Sequence, residues 1–162
     1  MKIAYIGIKG LPSKAGADRV VEAIVQRLAA KHELTVYCSS LVVPPEATYP
    51  GIELIRIPVL SGKHLHAASL FFMSALHALT RSYDLIHLHN IEASFVIPIL
   101  KMKFKVIVTS HGAYGDLRKW GRFATMLIQL GRSPVRLADC ITSVSKPQIA
   151  LLQRQYKKVI KY

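Results

Sequence analysis

Along this 162-residue chain, runs of consecutive apolar residues alternate with segments whose apolar positions recur at helical spacing. Residues 2–8 read as a buried strand. In 17–29, Ala17, Val20, Val21, Ile24, Val25, Leu28 and Ala29 share one helical face, with Asp18 and Glu22 near the positive end of the dipole and Lys31 and His32 near the negative end. Residues 33–39 predict a second strand, and the alternating 52–57 a third, stopped by Pro58. Residues 64–80 hold no Asp, Glu, Lys or Arg. Leu65, Ala68, Phe72, Leu76 and Leu79 define one face of that helix, but Leu70, Phe71 and Met73 fall on others, so it is either buried or set against lipid. Further strands are expected at 84–89, 105–110 and 140–143, and helices at 91–102, 118–138 and 146–156. Pro98 lies inside the first of these helices, and Gly131 and Pro134 break the second. Ser145 stands as N-cap of the third, with Pro147 in its first turn. One more strand starts at Val159. The alternation predicts an α/β fold over residues 1–162, a Rossmann-like doubly wound, mainly parallel sheet.

In such a sheet ligands sit beyond the C-terminal ends of the strands, which yields a short set of candidates. The first strand is followed by the loop Lys9–Gly16, the fourth by His89 and Asn90, the fifth by His111 and Gly112, and the sixth by Ser145. A glycine loop that opens a helix gathers unpaired N–H groups and the positive dipole end, which suits phosphate; the same glycines also serve a tight turn. The glycines Gly7, Gly10 and Gly16 do not have dinucleotide-fingerprint spacing, and no acidic residue ends the second strand. A nicotinamide dehydrogenase is therefore not expected, and neither a P-loop nor a G-x-S-x-G hydrolase motif occurs. His111 delivered to a sheet edge either donates to a sugar hydroxyl or phosphate, moves a proton near neutral pH, or caps its strand. Of the alternating pair His87 and His89, His87 is expected to pack inward and His89 to face the crevice. No Cys/His cluster has metal-ligand spacing, so no metal is expected, and Cys38 and Cys140 read as two incidental thiols.

Charge adds a second theme. The net charge is +13. Residues 1–100 carry nine Lys/Arg and seven Asp/Glu, whereas residues 101–162 carry thirteen Lys/Arg and only Asp116 and Asp139. Lys101, Lys103 and Lys105, with Arg118, Lys119 and Arg122, form the candidate anion-binding patch. Such a field suits a phosphorylated ligand, an acidic membrane face or nucleic acid, or it serves solubility alone. Aromatic residues are not interleaved with the basic runs as single-strand stacking requires. No stretch reaches the roughly 18 apolar residues of a spanning helix, and Met1-Lys2 runs straight into a strand without a leader pattern. A cytoplasmic protein is expected, with the inner membrane face as a peripheral site.

Four segments carry a family resemblance. Ala15-Gly16-Ala17-Asp18-Arg19-Val20-Val21 resembles the Gly-Gly-Ala-Glu-Arg-Val-Val segment of the family 4 glycosyltransferases, whose fold is called GT-B. Tyr83–Asn90 is similar to the family's D-hydrophobic-hydrophobic-H-x-H strand, Val108–Gly112 to its V-T-x-H-G element, and Ala138–Ser145 to its A-D-x-hydrophobic-x-x-x-S turn. The resemblance implies the N-terminal, acceptor-side domain of a metal-independent, retaining sugar transferase with a nucleotide-sugar as co-substrate. It implies that Gly16, Ala15 and Gly112 approach the donor diphosphate and sugar, and that His111 is the catalytic contact. His89, Asn90 and Ser145 would line the acceptor-side crevice, and the acceptor would be lipid-linked or a polysaccharide. Ala15 stands where the family has glycine, and the added methyl narrows the loop's choices. The family's second domain, with its pair of donor-binding glutamates, has no counterpart in these residues. The chain is thus expected to be inactive alone, either as one domain of a transferase or as a partner subunit completing one in trans. A basic nucleic-acid module and a GT-B epimerase are the remaining alternatives.

Overall fold

A computed structural model of the protein describes residues 1–13, 16–62, 65–112 and 131–162. Seven strands form one sheet: β1 (Lys2–Ile6), β2 (Glu33–Ser39), β3 (Ile52–Ile57), β4 (Leu85–His89), β5 (Lys105–Ser110), β6 (Cys140–Ser143) and β7 (Ile160–Lys161). Their order is β3-β2-β1-β4-β5-β6-β7, and every neighbouring pair is parallel. The helices are α1 (Gly16–Leu28), α2 (Leu65–Leu79), α3 (Ile97–Leu100) and α4 (Lys146–Tyr156), with 3₁₀ turns at Ile91–Val96 and Ser133–Leu137. This is the doubly wound α/β architecture that the alternation predicts.

Period-2 alternation sorts the strands onto two cores. Ile3 and Tyr5 join Leu34, Val36 and Cys38 under Val21 and Val25 of α1. Ala4 and Ile6 point the other way, joining Ile86, Leu88, Val106 and Val108 under α2, α3 and α4. Val21 and Val25 have no exposed surface, and burial of each contributes about 1.5–3 kcal/mol.

Three local departures have physical causes. The first strand ends at Ile6 rather than residue 8. Gly7 turns there with φ +108°, and a Cβ on it would stand 1.8 Å from the His89 carbonyl oxygen. Asp84 lies outside β4 and anchors the strand bottoms: it accepts the Lys2 N–H at 2.8 Å and donates its own to the Lys2 carbonyl at 2.9 Å. The expected 91–102 helix begins as a 3₁₀ turn and becomes α only from Ile97, with Pro98 in the first turn. Proline lacks the N–H a helix interior needs, so the α segment starts where that donor is not required.

Helix α2 corrects the expected facing. Leu70, Phe71, Ser74, Ala75 and Ala78 are its buried side, whereas Leu65, Phe72 and Leu76 of the expected face are exposed. Apolarity nearly all round leaves little bias between faces. The small residues decide, because Ser74, Ala75 and Ala78 let the helix approach the sheet closely. The expected helix 118–138 lies outside the described residues up to residue 130. Beyond it Gly131 and Arg132 are helical, and Pro134 sits in the 3₁₀ turn.

Candidate functional site

At the C-terminal ends of β1, β4 and β5 lies a crevice of about 200 Å³ walled by Ala17, Asn90, Ile91, Glu92, Ser110, His111 and Gly112. It adjoins a second hollow of about 340 Å³ between α1 and α2, and the two share Ala17, Asn90 and Glu92. The larger hollow also touches Gly7, Gly16, Asp18 and His66. Five separate segments of sequence thus converge on the edge that the fold class designates.

The floor is built by the β1 and β4 tips. Asn90 has φ +75°, uncommon for a residue with a side chain. Two bonds hold it there: its N–H donates to the Thr109 carbonyl at 3.0 Å, and its side-chain amide donates to the Gly7 carbonyl at 2.8 Å. Gly7 and Asn90 thereby lock β1 to β4 beside the hollow.

Behind the floor stands a histidine layer. Parallel register sets Tyr5 beside His87, and His89 beside Thr109. His87 Nε2 lies 2.7 Å from Thr109 Oγ1, which lies 2.7 Å from Thr142 Oγ1. Thr142 donates onward to the Val108 carbonyl at 3.4 Å. The direction then runs from His87 Nε2–H to Thr109 to Thr142. His89 Nδ1 lies 2.6 Å from His111 Nε2. Burial holds all three imidazoles neutral: His87 is pushed down to about 4, His89 well below the ordinary range, and His111 in the same direction. Proximity of the rings to one another adds to the effect on His87 and His89.

The sequence candidates divide accordingly. His111, Gly112 and Asn90 wall the crevice, and Gly16 lines the adjoining hollow. Among the described residues a Cβ on Gly16 or Gly112 would meet nothing within 4 Å. His89 stands behind the wall instead, fully buried and in contact with His111. Ser145 begins α4 without a side-chain cap bond; its N–H is taken by Ser143 Oγ at 3.2 Å. Lys105 opens β5 at the far end of the sheet, away from the crevice. Lys101 is paired with Asp139 at 2.8 Å, and Lys103 donates to the Leu79 and Arg81 carbonyls at 2.9 and 2.7 Å. Ala15, Arg118, Lys119 and Arg122 lie outside the described residues.

Three residues facing the ligand space were not singled out by sequence. Glu92 follows the β4 tip and pairs with buried Arg132 at 2.8 Å. Asp18 is buried in the first turn of α1, accepts the Lys9 N–H at 3.3 Å, and is raised above the usual carboxylate range by that burial. His66 meets Ser39 Oγ at 2.9 Å. The usable signal was position: Glu92 lies two residues past Asn90, and Asp18 two past Gly16. Among the described residues no cluster of three His, Cys, Asp or Glu has the geometry of a metal site, and no helix is long and apolar enough to cross a membrane.

A family model described as Glycosyltransferase Family 4 matches residues 15–160. The chain belongs to glycosyltransferase family 4. The match includes every residue that walls the crevice, and the four resembling segments all fall within it. Among solved structures, a sucrose-phosphate synthase from Thermosynechococcus elongatus aligns over 100% of this family 4 chain and 87% of its own, with a TM-score of 0.66 and 16% identity. At that identity the likeness shows the fold, a Rossmann-like domain of GT-B type. No curated protein matches the chain.

Proposed function

We propose that this domain is the acceptor-side half of a retaining glycosyltransferase that moves a sugar from a nucleotide-sugar to a lipid-linked or polysaccharide acceptor. The observation that carries the reading is the convergence of Asn90, Glu92 and His111–Gly112 on one crevice, with Gly16 in the hollow that adjoins it, in a family 4 chain. In this reading the donor diphosphate lies against Gly16 and the start of α1, where free N–H groups and the dipole favour negative charge. A neutral His111 faces the transferred sugar or its leaving phosphate. Preorganised donors of this kind stabilise a departing nucleoside diphosphate without a metal. The base-binding pocket belongs to a second domain or a partner chain that closes over the crevice. In the alternative arrangement this chain is a partner subunit that completes a transferase in trans.

The test is transfer measured with this 162-residue chain alone and again with a donor-binding domain supplied. Transfer only in the second case supports the reading, whereas robust transfer by the chain alone removes the two-part site. His111→Ala in the complete enzyme is expected to lower kcat/KM by 10²-fold or more, and an unchanged value would remove His111 from the site. EDTA is expected to leave the rate unaltered. The proposal includes docking of the basic C-terminal half on an acidic membrane face, with Lys101 and Lys103 engaged in local bonds. Co-sedimentation with acidic vesicles above that with neutral ones is expected, and equal binding to both would remove it.

A further inference from the structure

His89 is wholly buried, yet it makes a short bond to the histidine that walls the crevice. The two rings meet edge to edge, with centroids 4.9 Å apart and planes 28° from parallel. Two ring nitrogens 2.6 Å apart need one proton between them, so one ring donates and the other accepts. The far nitrogen of His89 decides the direction. His89 Nε2 is buried and has no hydrogen-bond partner among the described residues. Were His111 the donor, neutral His89 would carry its single proton on Nε2 as a buried N–H with nothing to bond. Orphaned buried N–H groups are rare, and an unfilled acceptor lone pair is less so.

We propose that His89 is a positioning residue whose Nδ1–H donates to His111 Nε2 and thereby holds the proton of neutral His111 on Nδ1, the nitrogen without a hydrogen-bond partner among the described residues. His111 then meets its ligand as a hydrogen-bond donor rather than as a base. The matching ligand group is an oxygen lone pair, of a phosphate or of a sugar hydroxyl. The role assigned to the ligand contact rests on the proposed transferase site, but the tautomer does not. Several contacts hold His89 in place. Its ring packs at 5.9 Å from the Tyr5 ring and 4.2 Å from that of His87, and its carbonyl is pressed against Gly7.

Long-range ¹H–¹⁵N spectra of the ¹⁵N-labelled chain at neutral pH read the tautomer directly, with His111 signals assigned by their loss in His111→Gln. The expected pattern is a protonated, pyrrole-type Nδ1 and a bare, pyridine-type Nε2. His89→Asn places an amide N–H near the Nδ1 position and is expected to keep that pattern. His89→Leu removes the donor and is expected to shift His111 toward the Nε2–H form. A wild-type His111 protonated on Nε2, or a pattern unmoved in His89→Leu, would overturn the proposal. If His89→Leu does not fold, the wild-type and His89→Asn spectra decide. Titration of the wild-type chain with pyrophosphate and, separately, with a free hexose shows which oxygen moves the Nδ1 signal. A response to either supports the donor role, and no response to both at saturating binding overturns it. If the tautomer is as expected but His111→Ala leaves donor affinity of the complete enzyme unchanged, the transferase reading falls and the positioning role stands.

Discussion

Gly7 shows how one missing side chain sets the geometry of the site. Its φ of +108° disfavours any Cβ, and the space a Cβ would need is occupied by the His89 carbonyl. Gly7→Ala is expected to cost about 3 kcal/mol, read as a lower urea midpoint, and to disturb the His111 ring signals through His89. Nothing in the sequence distinguished Gly7 from Gly10 or Gly16, because a backbone carbonyl on another strand leaves no local trace. The three neutral imidazoles carry a second expectation. Their folded pKa values lie below the ordinary 6.5, so the unfolded chain binds protons first as pH falls. Stability present above about pH 6.5 is therefore lost as pH falls, through the window down to about 4 for His87. The buried carboxyl of Asp18, raised in the fold, acts in the opposite direction. Urea melts at pH 7 and 4.5 are expected to show the loss, and His87→Gln to reduce it. A flat profile in the wild type would contradict the burial of this layer.

Among the elements, strands were legible wherever apolar runs met a punctuating Gly, Pro or Asp. β2, β3 and β5 match their expected bounds residue for residue. Helix α1 was legible because its polar and apolar faces are cleanly separated. The facing of α2 was not, since a segment without charges offers the sheet several acceptable sides and only small-residue packing selects one. That selection is testable. Phe72→Gln, on the exposed side, is expected to change stability by no more than about 0.5 kcal/mol. Ala78→Leu, on the packed side, is expected to cost about 1–3 kcal/mol. Thermal melts of the two variants check the assignment, and the reverse order would restore the face read from spacing. The His89 position shows the same limit at a strand tip. Alternation placed it with His87 on one side of the sheet, but only the His111 ring lying across it shows that it is sealed behind the wall.

At the scale of the whole molecule the sheet edge was predictable and the charge was not. Strand tips in an open parallel sheet hold the ligand space whatever the side chains are, and the crevice lies there. Of the described lysines in the expected patch, Lys101 and Lys103 are drawn into local bonds and Lys105 opens the opposite edge. Composition reports a total, whereas steering depends on where the charges stand.

The placement of β1 also governs the order in which the fold can be made. β1 is flanked by β2 on one side and β4 on the other, so the second neighbour of residues 3–6 comes from residues 85–88. Among the described residues the sheet has no hairpin to act as a local seed, since every strand pairing is parallel. A nascent chain must therefore hold its first strand half-paired until some 80 further residues have been synthesised. A fragment comprising residues 1–80 is expected to show no cooperative thermal transition by circular dichroism, whereas the full chain shows one. During synthesis β1 waits longer for its second neighbour than any other described strand, and until then its exposed edge is open to pairing with another chain.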